Sequence, residues 1–331
     1  MLKLKYLFEN FDLARECMEL YECDTDSVDE MLRYFRISSN AIYPFRLKKE
    51  GRICFLRLSP VEEKTLADVE SEIDLINWLI ERDFPAMRPV PMKTGKLFGQ
   101  IHTEWGTYNV SCFEKVAGNS LEDTKGTRQI VQGYGKTLGE LHALMKEYPH
   151  SEERRNHKMF LCEIEERMKE YGTSEIVRRE FGEVCKELEK LPMSASDYGV
   201  IHYDFEPDNV FYDDKEESFS VIDFDDAMCC WYALDVVRAI DALDEVIEDV
   251  NREEAILCFF EGYRSATTFT KEQLQSLPLM RRIVCLQEYA TLLHVLSESV
   301  ENMPEWMNNL SQKLKFKLHR LEESMDKGMT D

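Results

Sequence analysis

The chain has 331 residues, 44% of them hydrophobic, which is enough for two domains that each have a core. Its formal net charge of −23 argues against nucleic acid as a general partner, because phosphate backbones bind to basic surfaces. No apolar run of about 18 residues is present, and Glu9 comes too early for the apolar core of a signal peptide. The ten cysteines include no Cys-x-x-Cys pair, as is typical of reduced, buried thiols. We therefore expect a cytoplasmic protein without a membrane partner, either a monomer or a homodimer.

The first third of the chain is predicted to combine a helical extension with an antiparallel sheet. Phe11, Ala14 and Met18 recur at helical spacing within residues 1–35. Two strand-like runs follow at 41–47 and 52–58, and the turn 48–51 joins them as a hairpin. Residues 66–81 read as an amphipathic helix. The strand that ends near Gly118 has the character of a hinge at residues 112–118.

The middle of the chain reads as helical and contains a Gly-Lys-Thr sequence that resembles part of a phosphate-binding loop. Such a loop needs a glycine five residues before Gly135, where Ile130 stands, and Ile130 instead belongs to a helical apolar stripe that runs to Met145. His142 on this helix is more typical of a structural histidine than of a catalyst. Residues 151–191 are rich in charge and contain no strand pattern, so further helices are expected.

The most informative residues lie between His202 and Asp223. Asp204 follows His202 by two positions, Asn209 follows Asp204 by five, and Asp223 follows a predicted hairpin with strands at 210–212 and 219–222. A kinase needs a carboxylate that accepts the proton of the attacking hydroxyl group, and oxygen ligands that hold Mg²⁺ against the ATP phosphates. Asp204 fits the first role, and Asn209 and Asp223 fit the second.

Three segments resemble motifs of the aminoglycoside phosphotransferase and choline kinase superfamily. Residues 202–211 (His-Tyr-Asp-Phe-Glu-Pro-Asp-Asn-Val-Phe) resemble its catalytic loop His-Gly-Asp-Leu-His-Pro-Gly-Asn-Val-Leu, residues 222–226 its metal-binding segment, and residues 138–144 its Leu-Gly-x-Leu-His helix. The resemblance spans about residues 30–300. A protein kinase would have His-Arg-Asp, Asp-Phe-Gly and Ala-Pro-Glu, but Tyr203 and Asp225 replace the Arg and the Gly, and Ala-Pro-Glu is absent.

The resemblance implies a bilobal α+β protein-kinase-like fold. Residues 1–116 would form a small nucleotide-binding lobe with an antiparallel sheet, in which 1–35 is a helical extension. Residues 117–331 would form a larger, mostly helical lobe that carries catalysis and substrate binding. Asp235 resembles the family aspartate that steadies the catalytic loop through hydrogen bonds.

The resemblance also implies a nucleotide site for ATP, with GTP as the alternative donor. Arg57 takes the place of the strand cation that binds phosphates, with Glu72 as its helix partner and Glu70 as the competitor. No glycine precedes Gly51, so Ser39 and its neighbours would cover the phosphates. The adenine ring would lie among Phe55, the backbone of Glu114 and Val116, and the side chains of Phe211 and Ile222. For Phe211 and Ile222, ordinary core packing is an equal alternative.

The distribution of charge along the sequence is the first indication of what the acceptor is. Residues 1–116 carry 16 Lys and Arg against 20 Asp and Glu, whereas the rest carries 25 against 44. A negative field attracts a cationic acceptor, although acidic helices also serve solubility alone. Tyr203 and Glu206 stand where the family commonly has Gly and His. The candidate acceptor residues are Tyr203, Glu206, Asp225, Asp241, Asp244 and Glu261.

We therefore expect an ATP- and Mg²⁺-dependent phosphotransferase that acts on a hydroxyl group of a small, amino-bearing molecule. Two alternatives stay open at this stage. One is a protein Ser/Thr kinase built on the same family fold. The other is a catalytically silent nucleotide-binding module that recruits partners.

Overall fold

The computed structural model describes residues 10–37, 40–49, 51–149, 154–248, 250–297 and 305–327. These residues form two compact units. The first unit contains the described residues of 10–120 together with 209–225, and the second contains those of 121–208 and 226–327. The first unit thus extends past the predicted lobe boundary at 116/117 and includes the hairpin that follows the catalytic loop.

The first unit is built around a five-stranded antiparallel sheet in the order β1-β2-β3-β5-β4. Its strands are β1 (Arg36–Ile37), β2 (Ala41–Arg46), β3 (Ile53–Pro60), β4 (Phe98–Thr103) and β5 (Gly106–Glu114). The predicted hairpin is confirmed, since β2 pairs with β3 in a register that sets Tyr43 opposite Leu56. β3 lies between β2 and β5 and forms antiparallel ladders with both.

Helices cover this sheet. The predicted helix at 66–81 is α3 (Leu66–Ile80), and a capping box begins it: Thr65 accepts from the Asp68 amide at 3.2 Å, and Asp68 accepts from the Thr65 amide at 2.9 Å. The helical extension contains α1 (Phe11–Met18) and α2 (Val28–Met31). Its apolar side chains join one hydrophobic cluster with Tyr43, Phe45 and Leu56 of the sheet. The extension therefore belongs to the core of the first unit.

A smaller sheet completes the first unit. It consists of β6 (Asn119–Ser120), β8 (Val210–Asp213) and β9 (Ser218–Val221), which are adjacent in that order; β7 belongs to the second unit. The predicted hairpin after the catalytic loop is confirmed, because β8 and β9 pair antiparallel and set Val210 opposite Val221. Gly118, just before β6, has φ +80°, and a Cβ atom there would lie 2.1 Å from the Tyr212 carbonyl oxygen. Only glycine fits this approach.

The second unit is mostly helical, as predicted. Its helices are α4 (Arg128–Met145), α5 (His157–Tyr171), α6 (Glu175–Leu188), α7 (Tyr232–Asp241), α8 (Arg252–Ala266), α9 (Lys271–Val295) and α10 (Glu305–Asp326). A two-stranded sheet of β7 (Tyr198–Ile201) and β10 (Met228–Trp231) lies between α6 and α7 in the chain order. Within the ranges that the structure describes, no helix combines the length and apolar content needed to cross a bilayer.

The Gly-Lys-Thr sequence lies on α4, as its apolar stripe predicts, and its glycine has a packing role. A Cβ atom on Gly135 would lie 2.0 Å from the Phe259 carbonyl oxygen of α8, and one on Gly262 of α8 would lie 1.8 Å from the Gln132 carbonyl oxygen. The two helix backbones therefore approach too closely for any side chain at these positions. Gly135 serves helix packing within the second unit.

The chain does not continue as one helix after α7. This helix ends at Asp241, a 3₁₀ turn spans Ala242–Glu245, and α8 begins at Arg252. The Asn251 side chain accepts from the Glu254 amide at 2.9 Å and starts α8 there. Because the helix is interrupted, Asp241, Asp244 and Glu248 do not share one continuous helical face.

Candidate active site

The predicted pair of Arg57 and Glu72 is present in the first unit. Arg57 Nη1 donates to Glu72 Oε1 at 2.9 Å, and Nη2 contacts Oε2, so the two groups meet through both nitrogens and both oxygens. The Arg57 side chain is 4% exposed and that of Glu72 is 1% exposed. Glu70, the competitor, is exposed on the other side of α3. Glu72 faces the sheet because it follows Val69 by three positions, on the buried face of the helix.

Arg57 has further partners around this pair. Its Nη1 lies 3.5 Å from Asp223 Oδ1, its Nε donates to Ser111 Oγ at 3.3 Å, and its guanidinium lies 4.7 Å from the centre of the Phe113 ring. Burial lowers the pKa of Arg57, but the charges of Glu72 and of the acids at 223 and 225 outweigh it and raise the pKa above its usual value. A permanent, well-held positive charge therefore lies next to Asp223.

The β8–β9 hairpin brings the two predicted metal ligands to neighbouring backbone positions. The Ile222 amide donates to the Asn209 carbonyl oxygen at 3.0 Å, and the Asp223 amide donates to Met87 Sδ at 3.4 Å. Asp223 has φ +63°, in the left-handed region where a non-glycine residue costs about 1 kcal/mol. The Asn209 side chain is nearly buried and the Asp223 side chain is 30% exposed. One amide oxygen and one carboxylate are the hard donors that suit Mg²⁺, which keeps water and phosphate oxygens as its other ligands.

Asp225, a candidate acceptor residue, is instead engaged within the first unit. Its Oδ2 lies 2.5 Å from Lys64 Nζ and accepts from Asn40 Nδ2 at 2.8 Å, and its side chain is 5% exposed. Burial raises the pKa of the Asp225 carboxyl, but Lys64 and Arg57 lower it further, to below the usual range. We therefore do not retain Asp225 as an acceptor ligand. The sequence interpretation did not include Lys64, because its partner lies 161 positions away.

Ser39, expected to cover the phosphates, lies outside the described residues. Asn40 beside it is described, and its Oδ1 accepts from Ser59 Oγ at 2.5 Å. The hydrogen bonds of Asn40 therefore tie the start of β2 both to β3 and to Asp225.

The five residues expected around adenine all belong to the first unit, and each is partly buried. Phe55 lies two residues before Arg57 on β3 and is paired with Phe113 of β5. Glu114 ends β5, where its carboxylate contacts Arg52 and its amide donates to the Arg88 carbonyl oxygen at 2.9 Å. Their roles toward a nucleotide stay predictions. These five residues are Phe55, Glu114, Val116, Phe211 and Ile222.

In the second unit, Asp235 holds the start of the catalytic loop as the resemblance implied. Its two oxygens accept from the backbone amides of His202 and Tyr203, each at 2.7 Å. His142 Nε2 lies 3.0 Å from Asp235 Oδ2, and His142 Nδ1 lies 2.7 Å from the Tyr263 hydroxyl. All of these groups are buried, and burial lowers the pKa of His142 against the opposing effect of Asp235. His142 is therefore structural, as expected.

Asp204 and Glu206 share one cation that the sequence interpretation missed. Arg238 Nη2 donates to Asp204 Oδ1 at 2.6 Å and lies 2.7 Å from Glu206 Oε1. Arg238 is 12% exposed, whereas Asp204 and Glu206 are 33% and 35% exposed. The sequence offered one signal for Arg238. It follows Asp235 by three residues and therefore shares a face of α7 with it.

Tyr203 has the backbone conformation that explains why glycine is common at this position in the family. Its φ is +74°, where a non-glycine residue is strained by about 1 kcal/mol. Its ring is buried, lies 4.7 Å from the Arg238 guanidinium carbon and packs edge-on against Phe160. Burial raises the pKa of the Tyr203 hydroxyl, so the group is a neutral phenol at neutral pH.

The Glu206 carboxyl titrates near neutrality. Burial raises its pKa most, Arg238 lowers it, and Asp204 and Asp208 raise it. Together these effects raise the pKa of Glu206 to about 7. Its charge therefore depends on pH in the range where most enzymes work.

The candidate acceptor residues Asp241 and Asp244 are paired with arginines. Arg281 Nε donates to Asp241 Oδ2 at 2.8 Å, and Arg252 lies 3.5 Å from Asp241 and 2.5 Å from Asp244. These carboxylates are therefore largely neutralised, and they form a surface ion-pair cluster. Glu261 is exposed on α8. We do not retain Asp241 and Asp244 as acceptor ligands, and the role of Glu261 stays a prediction.

Comparison with known proteins identifies relatives over most of the chain. The model of the phosphotransferase enzyme family matches residues 37–269. Amicoumacin kinase from Bacillus subtilis (strain 168) is 20% identical over 236 residues, which cover 70% of this chain and 68% of the relative. A solved amicoumacin kinase, in complex with AMP-PNP, Ca²⁺ and Ami, superposes with a TM-score of 0.79 at 19% identity, over 98% of this chain and 96% of that chain. The microcompartment-associated aminopropanol kinase gives a TM-score of 0.70 at 20% identity, over 95% and 97%.

These matches agree with the order of motifs along the sequence and with the geometry of the two units. The structural likenesses confirm the predicted kinase-like α+β fold. The family match covers well over half of the chain and confirms the predicted enzyme class. This chain belongs to the phosphotransferase enzyme family.

Proposed function

We propose that this protein transfers the γ-phosphoryl group of ATP to a hydroxyl group of a small molecule that carries an amine. The observation that carries this proposal is the catalytic loop, where Asp235 fixes the backbone and Asp204 presents a partly exposed carboxylate. The family match and the kinase relatives support the reaction class.

In the proposed mechanism, Asp204 orients the acceptor hydroxyl and accepts its proton as the oxygen attacks phosphorus. Arg57, held by Glu72, donates to phosphate oxygens and offsets their negative charge. Asn209 and Asp223 would hold Mg²⁺, which neutralises phosphate charge when bound. The transition state of such transfers is loose, so alignment and charge neutralisation supply most of the acceleration.

Glu206 supports the amine in the acceptor. Its carboxylate is partly exposed, is two residues from Asp204, and meets Asp204 at the same Arg238 nitrogen. Two carboxylates and one guanidinium leave a net negative charge when Glu206 is ionised, which attracts an ammonium group. Aminopropanol, named for one structural relative, combines an amine with a hydroxyl group and is a suitable first probe.

The test is coupled ADP release with a panel of hydroxylated amines and sugars, namely amicoumacin, aminopropanol, L-homoserine, choline, spectinomycin and methylthioribose, with ATP or GTP as donor. Asp204→Asn is expected to reduce turnover by about 10²-fold or more and to leave the thermal shift caused by Mg-ATP unchanged. Asp214→Asn, in the exposed turn between β8 and β9, is the matched control and should keep wild-type turnover.

Three outcomes would contradict the proposal. Equal turnover in Asp204→Asn and wild type would show that Asp204 is not the catalytic base. Transfer to proteins of a cell lysate, but to no small molecule, favours the protein kinase alternative. A nucleotide-dependent thermal shift without any ADP release favours the catalytically silent module.

A further inference from the structure

Arg238 contacts the partly exposed carboxylates of Asp204 and Glu206 in the catalytic loop with a single nitrogen. The distances from Nη2 are 2.6 Å to Asp204 Oδ1 and 2.7 Å to Glu206 Oε1. Without a cation between them, two carboxylates this close would repel each other. The guanidinium therefore sets the separation and the orientation of both groups.

The helix that carries Arg238 also holds the loop backbone. Asp235, one helical turn earlier on α7, accepts from the amides of His202 and Tyr203. The backbone before Asp204 and the side chain of Asp204 are thus both attached to α7, through Asp235 and Arg238 respectively. A side chain that is held by the same rigid helix as the backbone before it has little freedom to rotate away.

Tyr203 supports the guanidinium in turn. Its ring centre lies 4.7 Å from the Arg238 guanidinium carbon, and Phe160 packs against the ring at 5.5 Å between centroids. Cations favour the face of such a ring. Glycine at position 203 would relieve the left-handed backbone but would remove this contact, which gives a reason for tyrosine where the family commonly has glycine.

We propose that Arg238 is a positioning residue for phosphoryl transfer, which orients Asp204 toward the acceptor hydroxyl and holds Glu206 beside it, with Tyr203 as its support. This inference rests on the proposed function. Arg238 itself contacts neither nucleotide nor acceptor in this role. Misplacement of a catalytic group by about 1 Å can cost about 10²-fold in rate, so a contact of this kind acts on turnover.

The experiment compares Arg238→Ala, Arg238→Lys and Tyr203→Gly with wild type, using Mg-ATP and the best acceptor of the panel, and water as acceptor where none is found. Arg238→Ala should lower kcat by about 10²-fold and change the KM for ATP by less than about threefold. Arg238→Lys should recover part of kcat, because it restores the charge without the planar fork. Tyr203→Gly should lower kcat less than Arg238→Ala does.

Chemical rescue separates positioning from a loss of folding. Added guanidinium ion should restore part of kcat in Arg238→Ala and none in Asp204→Asn, which still has its arginine. Arg282→Ala is the matched control, because Arg282 also bridges two carboxylates at 2.6 Å, those of Glu180 and Glu187, away from the catalytic loop. It should keep wild-type kcat and show no rescue.

The possible results distinguish this inference from the proposed function. Wild-type kcat in Arg238→Ala, together with an inactive Asp204→Asn, overturns the inference alone. An equal effect of Arg282→Ala, or no gain from either lysine or guanidinium, also overturns it, because a purely structural role would then explain the loss. If wild type releases no ADP with any acceptor or with water, the proposed function and the inference both fail.

Discussion

Arg57 and Arg238 are each held by two carboxylates, and the two groups differ in how much solvent reaches them. We call Arg57, Glu72 and Asp223 the Arg57 centre, and Arg238, Asp204 and Glu206 the Arg238 centre. The Arg57–Glu72 pair is 4% and 1% exposed, whereas Asp204 and Glu206 are about one-third exposed. The Arg57 pair is enclosed between β3 and α3, and the Arg238 centre holds a loop to one helix.

The difference indicates what each centre contributes. A desolvated pair whose four polar atoms bond to each other is part of the core, so removing one member leaves a buried charge. Carboxylates that keep contact with water lose less stability when their cation is removed, but their orientation depends on it. We therefore expect changes at the Arg57 centre to act mainly on stability and nucleotide binding, and changes at the Arg238 centre to act mainly on turnover.

The largest expected effect on stability comes from Glu72→Ala. It leaves Arg57 buried without its main partner, and should lower the free energy of unfolding by about 3–5 kcal/mol. Chemical denaturation measures this, and the thermal shift with Mg-ATP should be lost as well. Glu70→Ala, on the exposed side of the same helix, is the control, and a loss of equal size there would contradict the pairing.

Asp235→Asn tests whether the Arg238 centre depends on the hydrogen bonds through which Asp235 of α7 holds the catalytic loop. Its two oxygens accept two backbone amides and lie near His142, so an amide nitrogen in place of one oxygen would face a donor. We expect a loss of about 3 kcal/mol, together with reduced turnover. Asp241→Asn, at the exposed end of α7, should cost less than about 1 kcal/mol. Wild-type turnover in Asp235→Asn would show that the catalytic loop does not depend on its attachment to α7.

Lys64→Met should have a smaller effect at the edge of the Arg57 centre. It leaves the nearly buried Asp225 carboxylate with fewer partners, which should cost about 1–2 kcal/mol near neutral pH. The folded-state pKa of Asp225 lies below its usual value of 3.8, so this stabilisation is present above that pH and is lost as the pH falls through the folded-state pKa. Denaturation at several pH values should show the variant approaching wild type in acid, and Lys96→Met, an exposed lysine, should show no such trend.

The smallest effect is expected from Glu206→Gln, and it should depend on pH in the opposite direction. The pKa of Glu206 is about 7 in the folded protein against an ordinary value of 4.5. Its stabilising contribution is complete below the ordinary value and is lost as the pH rises through about 7. The Tm of Glu206→Gln relative to wild type should therefore be higher at about pH 8 than at about pH 5. A Tm difference that does not change with pH would show that the pKa of Glu206 is not raised in the folded protein.

Local patterns predicted much of the fold and some of the site. The alternation and turn of residues 41–58, the helical period of residues 66–81 and the hairpin after Asn209 each appear where expected. These elements depend on neighbours within a few residues along the chain. The pairing of Arg57 with Glu72 was also predicted, from the family resemblance, with Glu70 as the alternative partner.

Charge pairing between distant segments was where the sequence interpretation failed. Asp241 and Asp244 were candidate acceptor residues in an acidic part of the sequence, but Arg252 and Arg281 of later helices pair with them. Lys64 and Arg238 were missed for the same reason, since neither has its carboxylate partner nearby in the chain. Helical period tells which residues share a face, but not which residues of other elements lie against it.

The sequence by itself determined the family, the strand and helix that carry Arg57 and Glu72, the hairpin that Asn209 and Asp223 flank, and the identity of Asp204 as the candidate base, because these depend on short spacings and residue chemistry. Only the tertiary structure decided that Arg238 joins Asp204 to Glu206, that Lys64 engages Asp225, and that Gly135 allows two helix backbones to pack closely. The physical reason is that desolvation and ion pairing act through space, between residues that only the folded chain brings together.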